Sequence, residues 1–230
     1  MKTSLINIIF LVTNKLKMKT KTYITALLCL ISNVAIAGSA SIGYTSDYFR
    51  RGALLSEEAL QTSVSLEKEV AGFSLSAGAS TNQAVSVGED SYIIEGGASA
   101  QVGELLDLYV GLQHFEQRSD DATLEVNLVA SLNSVLSPSL SIFRDTDDEL
   151  YTYELGVSHS FDAKLADLEL SALYGNTDLT ESTDEDYYVL GAKASKSLSE
   201  SASLELGYNY VDSDLINDES IVSASVVFSF

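Results

Sequence analysis

The sequence predicts an all-β protein, an antiparallel up-and-down transmembrane β-barrel with twelve strands, or ten as the alternative. Three observations predict it: side chains alternate with a period of two, short connections alternate with long charged ones, and no apolar run reaches the ~18 residues of a membrane-spanning helix. A strand that crosses lipid needs one apolar face and tolerates small polar residues on the face toward the barrel interior.

The first 37 residues are interpreted as an export signal. They contain five lysines and no acid, whereas all 33 carboxylates lie after Ala37. From Met18 a basic start, an apolar run and the sequence Ala35-Ile36-Ala37 follow in the order of a secretory signal peptide. We expect translation to start at Met18, cleavage after Ala37, and a single barrel domain over residues 38–230.

Each predicted strand places Leu, Val, Ile, Ala, Tyr or Phe at most of its alternate positions. In chain order the strands are residues 40–48, 60–66, 73–79, 92–102, 106–112, 124–132, 140–142, 151–157, 168–174, 188–194, 204–210 and 221–230. Most approach the roughly 9–11 residues that a tilted strand needs to cross lipid. The seventh and tenth have the weakest pattern, and for this reason ten strands remain the alternative.

The connections support the same topology. Short turns are predicted at 70–72, 102–104, 133–138, 161–165 and 198–201, and longer acidic loops at 50–58, 81–90, 116–121, 144–149, 176–186 and 212–219. Bacterial barrels have short periplasmic turns and longer external loops. An even number of strands then places both chain termini in the periplasm.

Aromatic residues cluster near the predicted strand ends. Tyrosines, Tyr48 among them, lie near the loops and phenylalanines near the turns, as expected for two girdles at the membrane interfaces. The chain ends in a strand that carries Phe228 and Phe230 on its apolar face. A terminal Phe on such a strand resembles the signal that outer-membrane proteins present to the barrel-assembly machinery, which is therefore an expected partner.

Charge and cysteine content exclude several classes of protein. After Ala37 the chain has 8 basic and 33 acidic side chains, so its formal charge is −25 and nucleic acid is an implausible partner. The only cysteine, Cys29, lies in the signal region, which excludes disulfides and zinc–thiolate sites from the processed chain. We expect no cofactor. At 46% hydrophobic residues the composition argues against a disordered acidic protein.

By phase, the inner face carries Ser, Gly, Thr, Asn, Gln and several carboxylates, opposed by Lys193. The candidate selectivity residues are Asp47, Glu67, Glu95, Asp107, Glu125, Glu154, Glu169 and Glu205. A water-filled lumen lined with carboxylates attracts cations. The sequence therefore predicts a porin-like channel for small cationic or neutral solutes. The alternative is a closed barrel with structural or surface-interaction duties, filled by its own side chains.

Metal and enzyme sites are weakly supported. The acids at 145–149 and 212–214 supply the hard oxygen ligands that Ca²⁺ prefers, but the glycine and distant glutamate of an EF-hand are missing, so hydrated loops are favoured. The segment around His114 has no serine in a recognisable catalytic motif, and His159 lies near a predicted periplasmic turn. The sequence predicts no metal site and no enzyme.

The first strand enters its loop through the run Ser46-Asp47-Tyr48-Phe49-Arg50-Arg51-Gly52. This run resembles the opening S-D-Y-x-x-R-G element of the TorF-type porins, a proteobacterial outer-membrane family. The matching positions are Ser46, Asp47, Tyr48, Arg51 and Gly52. The resemblance implies a porin-like role without a defined solute. By phase Asp47 and Arg51 both face inward, which suggests an ion pair across the channel mouth.

The predicted location is the bacterial outer membrane, with its lipid and lipopolysaccharide as partners. A third interpretation is a secreted soluble β-sandwich. That fold would bury the Leu-, Val- and Tyr-rich faces against a second sheet, whereas a membrane barrel exposes them to lipid.

Overall fold

The computed structural model describes residues 37–119, 122–180 and 183–230, without the side chain of Asn217. The strands are β1 (Ala37–Arg50), β2 (Ala53–Val70), β3 (Phe73–Gly88), β4 (Ser91–Val102), β5 (Leu106–Gln117), β6 (Thr123–Leu132), β7 (Ser139–Asp145), β8 (Tyr151–Asp162), β9 (Asp167–Thr180), β10 (Thr183–Ser199), β11 (Ala202–Ser213) and β12 (Ile216–Ser229). Within these ranges, no helix is long and apolar enough to cross a membrane. Residues 1–36, which belong to the predicted export signal, lie outside the described residues, so the signal stays a prediction.

The twelve strands form one closed antiparallel barrel. Each strand pairs with its neighbours in the chain, and β1 pairs with β12 from Ser39↔Ser229 to Thr45↔Ser223. Closure supplies partners for the backbone groups of the first and last strands, which hydrocarbon could not hydrogen-bond. The predicted fold class and strand number are confirmed.

The barrel turns its apolar side chains outward. Ile42, Leu155 and Leu190 are each 56% exposed, and similar residues ring the outer wall. Among the described residues, the buried hydrophobic side chains are Ala59, Tyr187, Val211 and Ile221. A soluble β-sandwich would show the reverse distribution, so that interpretation is wrong.

Several strands are longer than a membrane crossing requires, because residues that were predicted to form loops belong to paired strands. β2, β3 and β10 have 18, 16 and 17 residues. The predicted loops 50–58, 81–90 and 212–219 shrink to the connections 51–52, 89–90 and 214–215. The predicted alternation of connection length is therefore wrong at these three positions.

The acids that suggested loops lie on strands and are hydrogen-bonded across them. Asn176 on β9 donates to Asp184 (3.0 Å) and Asp186 (2.9 Å) on β10, and Tyr174 also donates to Asp186 (2.8 Å). The acidic residues therefore indicate that the strand ends are solvated. They do not indicate where the pairing of the strands stops. We call the end of the barrel that carries the 51–52 connection the loop end, and the opposite end the turn end.

The C-terminal residues close the wall at the turn end. Gly38 and Phe230 exchange two backbone hydrogen bonds of 2.9 Å, and the Phe230 ring lies over Gly38. Phe228 and Phe230 are 48% and 56% exposed on the outer surface. Their proposed recognition by the assembly machinery stays a prediction.

Candidate functional site

The most unusual feature of the barrel is a hairpin that leaves the wall at the loop end. The β1–β12 ladder stops at Thr45↔Ser223, whereas the β1–β2 ladder continues to Arg50↔Ala53. Beyond the ladder, the Val222 amide donates to the Ser46 hydroxyl at 3.0 Å. Because a side chain replaces the backbone acceptor, β1 can separate from β12 without leaving that amide unpaired.

We call residues 46–56 the lumen hairpin. Its tip is a two-residue turn in which Arg51 (φ 48°) and Gly52 (φ 85°) both have positive φ, as in a type I′ turn. The register of β1 and β2 shifts by one residue between Tyr48 and Phe49, and that of β2 and β3 shifts between Glu57 and Ala59. Such bulges bend the strands locally, and here the bend directs the tip into the barrel.

Two arginines anchor the tip to the far side of the lumen. The Arg50 guanidinium donates to Glu125 Oε2 at 2.7 Å, and Arg51 pairs with the other oxygen of the same carboxylate. Glu125 lies on β6, five strands from β1 around the ring. The three side chains are 17%, 13% and 7% exposed. The hairpin therefore spans the lumen.

Polar and aromatic groups of the same wall complete this contact. Gln113 on β5 accepts from Arg50 at 2.9 Å and donates to Glu95 at 3.1 Å. The guanidinium carbons lie 4.2 Å and 3.9 Å from the ring centroids of Phe115 and Phe143 respectively. Arginines that leave water in this way are stabilised by charge pairing and by cation–π contact.

The other flank of the hairpin packs against β9–β11. The Ser213 hydroxyl donates to the Gly52 carbonyl at 2.8 Å, and Phe49 meets Tyr187 edge-on with centroids 5.7 Å apart. Tyr187 is 1% exposed because its ring lies over Gly175, where a Cβ would collide with it. Its hydroxyl donates to Glu154 at 2.6 Å.

Three of the predicted lumen acids converge on the hairpin. Glu95, Glu125 and Glu154 lie within this network. Arg50 is also within electrostatic range of Glu154 and Asp145, so three carboxylates lie near the two guanidinium groups, and Glu95 lies beyond Gln113. The loop-end half of the lumen thus keeps a surplus of negative charge even though it holds both arginines.

The remaining predicted acids lie elsewhere. Glu67 accepts from Ser74 on the turn-end half of the wall, and Glu169 lies 3.6 Å from Lys193. Asp107 pairs in register with Ser131, and Glu205 with Ser225, near the same end. Asp47 is half-buried at the loop end, close to the hydroxyl of the outward-facing Tyr44.

Two expectations for the opening element are wrong. Arg51 pairs with Glu125 and not with Asp47. Tyr48 does not join the outer girdle, because the bend of the hairpin carries it inward beside Ser91 and the two arginines. Ser46, Arg51 and Gly52 each have a definite role: the first bonds the Val222 amide, the second anchors the tip, and the third accepts from Ser213.

Several residues of this site were not identified from the sequence. They are Phe49, Arg50, Gln113, Phe115, Phe143, Tyr187 and Ser213. One local signal was present: Arg51-Gly52 followed by the apolar Ala53-Leu54-Leu55 is typical of a turn that opens a strand and not of a long loop.

The acidic segment after β7 is organised by its own backbone. Asp145 accepts from the amides of Asp147 at 2.8 Å and Asp148 at 3.3 Å. Within the part of the chain that the structure describes, no three His, Cys, Asp or Glu side chains come together as metal ligands.

The architecture is similar to that of solved outer-membrane channels. A KdgM porin aligns with a TM-score of 0.57 at 13% identity, over 84% of this chain and 99% of its own. A NanC porin gives 0.55 at 10% identity over 83% and 98%, and an outer-membrane channel from Pseudomonas putida F1 gives 0.58 at 10% over 85% and 95%. No protein-family model and no curated relative matches the sequence. The fold is therefore that of a bacterial outer-membrane β-barrel.

Proposed function

We propose that this protein is a porin-like channel of the bacterial outer membrane through which small, preferentially cationic or neutral solutes diffuse. The observation that carries the proposal is the charge of the lumen. Among the residues that the structure describes, its carboxylates face three bases, of which Arg50 and Arg51 are held by Glu125 and Lys193 lies 3.6 Å from Glu169. A surplus of fixed negative charge in a narrow aqueous path attracts cations and repels anions.

The lumen has two parts with different roles in this proposal. At the turn end it is lined by exposed small side chains such as Ser63 and Ser65, which leave room for water. At the loop end the lumen hairpin occupies the interior and sets the constriction. Solutes would cross the constriction beside the arginine–Glu125 anchor.

The charge distinguishes this lumen from that of a polyanion channel. One similar structure is of a KdgM porin in complex with disordered oligogalacturonate, whose repeating unit carries a carboxylate. Here the carboxylates belong to the wall, so an acidic oligosaccharide would be repelled. We infer that the two barrels share a fold and differ in the charge of their solutes. Membership of the TorF-type family stays a prediction.

A closed barrel with structural or surface-interaction duties is the second candidate. It is favoured by the number of strands that the hairpin contacts, since residues of β5, β6, β10 and β11 all hydrogen-bond to it or pack against it. In that case the hairpin is a permanent plug, and the solvated acids of the loop end carry the function.

Planar-bilayer recording of the refolded protein under a KCl gradient tests the first proposal. We expect small conductance steps and a reversal potential that is shifted toward the equilibrium potential of K⁺. The double variant Glu67→Gln/Glu205→Gln should reduce the cation preference, because it removes two lumen charges. The matched control Asp212→Asn/Asp218→Asn removes two outward charges and should leave it unchanged. A silent barrel, or one that prefers chloride, would overturn the proposal.

A further inference from the structure

A cavity of about 360 Å³ lies in the inner wall beside the lumen hairpin. Glu95, Tyr109, Gln113, Asn127 and Phe143 line it. Gln113 and Phe143 also contact Arg51, so two of the lining residues belong to the anchor of the lumen hairpin. This volume falls within the ~300–1,000 Å³ typical of small-molecule sites.

Asn127 lines this cavity and carries a side-chain oxygen without a partner. The residue is 5% exposed, and its Oδ1 has no hydrogen-bond partner. A buried amide oxygen without a partner is destabilising, so native structures rarely contain one without a ligand or water to satisfy it. The Oδ1 atom is a hydrogen-bond acceptor, so a ligand that satisfies it must carry an N–H or O–H donor.

Glu95 supplies the charge. One of its oxygens accepts from Gln113 at 3.1 Å, and the other lies against Gly78, where the absence of a side chain leaves it space. No Lys, Arg or His of the described residues forms an ion pair with it within 4.0 Å. Its negative charge is therefore available to a ligand.

Tyr109 supplies an aromatic face. Its ring and hydroxyl lie over Gly97 and Gly111, where a Cβ at either position would collide with them. Two glycines on adjacent strands thus let the ring lie flat against the wall, with its other face toward the cavity. The ring also lies within electrostatic range of Glu95.

We propose that this cavity binds a small organic ammonium ion. The Glu95 carboxylate neutralises the cation, the Asn127 amide turns so that Oδ1 accepts one of its N–H groups, and the Tyr109 ring provides a cation–π contact. A bare Ca²⁺ or Mg²⁺ fits poorly because the cavity offers one carboxylate where such ions take several oxygen ligands. As a statement about the transported solute, this inference rests on the proposed function.

Calorimetric titration of the refolded barrel in detergent with n-butylammonium chloride tests the site, with 1-butanol as the neutral probe of similar shape. We expect the ammonium to bind and the alcohol not to bind. Glu95→Gln should weaken binding at least tenfold and Asn127→Ala several-fold, whereas the control Asp212→Asn, which removes an exposed outward carboxylate, should bind as the wild type does.

Equal binding of both probes, no binding, or unchanged affinity in Glu95→Gln would overturn the inference. If Glu95→Gln does not refold, as judged by the heat-shifted gel band, Asn127→Ala decides alone, and unchanged affinity in that variant is the contrary result. Titration in detergent requires no conduction. A silent barrel that binds the ammonium refutes the channel and keeps the site, and a conducting barrel that does not bind it does the reverse.

Discussion

Two hairpins of this barrel share one turn geometry and end in opposite environments. The Arg51–Gly52 turn has φ values of 48° and 85°, and the Ala71–Gly72 turn has 52° and 84°. At Gly72 an added Cβ would meet nothing within 4 Å, whereas at Gly52 it would lie 3.2 Å from the Tyr187 ring. The first turn lies inside the barrel and the second projects from the rim, so backbone geometry alone does not decide where a hairpin goes.

The residues that precede each turn account for the difference. Phe49 and Arg50 find an aromatic ring and a carboxylate across the lumen. Glu69 and Val70, at the corresponding positions, are exposed, and the β2–β3 ladder continues through them to Val70↔Phe73 at the turn end. A hairpin folds inward when its side chains have partners there and its strand can leave its neighbour.

Removing the two anchors should produce the largest change. In Arg50→Ala/Arg51→Ala the tip loses Glu125, and we expect single-channel conductance to rise several-fold as the constriction opens. The control Arg144→Ala removes an outward arginine paired with Glu149 and should not alter conductance. Conductance that appears only in the double variant would identify the hairpin as a plug and favour the closed barrel.

Glu125→Gln should destabilise the barrel by about 3–5 kcal/mol, because it leaves two poorly exposed guanidinium groups without their counter-charge. The measurement is urea unfolding in detergent, followed by the mobility shift of the unboiled band. Glu67→Gln, in which the carboxylate accepts from Ser74 on an exposed wall, is the matched control with little expected change. Equal stability of the two variants would contradict the anchor.

Gly52→Val and Gly72→Val compare the turns directly. Both introduce a side chain at positive φ, so the strain common to the two cancels. Gly52→Val should cost about 1–3 kcal/mol more, because its side chain must also displace Tyr187. The difference in urea midpoints at equal slope measures this packing, and equal midpoints would show that the Tyr187 contact has no energetic weight.

Ser46→Ala should have the smallest effect, about 1 kcal/mol, because it removes one hydrogen bond at the point where β1 leaves β12. Amide hydrogen exchange at Val222 should accelerate, since that amide loses its 3.0 Å acceptor. Ser41→Ala, which removes a 2.7 Å hydroxyl contact with Ser63 inside the ladder, should leave Val222 protected. Unchanged exchange in Ser46→Ala would argue against the hydroxyl as the branch point.

The wall was predictable from the sequence and the hairpin was not. Alternation fixes which side of a strand faces lipid, and Leu155, Leu190 and Val222 obey it because the barrel needs an apolar outer surface. Tyr48 breaks the pattern because the hairpin bends into the lumen at the two register shifts, and this bend changes the direction of the strand and not its phase. The partners of Arg51 depend on which strands face each other across the lumen, and a period of two contains no such information.

The position of the hairpin in the chain also bears on folding. Its carbonyl at Gly52 meets Ser213, 161 residues later, and its arginines meet Glu125, about 75 residues later. Contacts between residues so far apart in the sequence form slowly, because ordering the long intervening segment costs conformational entropy before the contacts can stabilise it. The tip of the hairpin between the first two strands therefore cannot make its contacts until nearly the whole polypeptide is in place. We expect a late step in barrel maturation whose rate depends on Arg50 and Arg51.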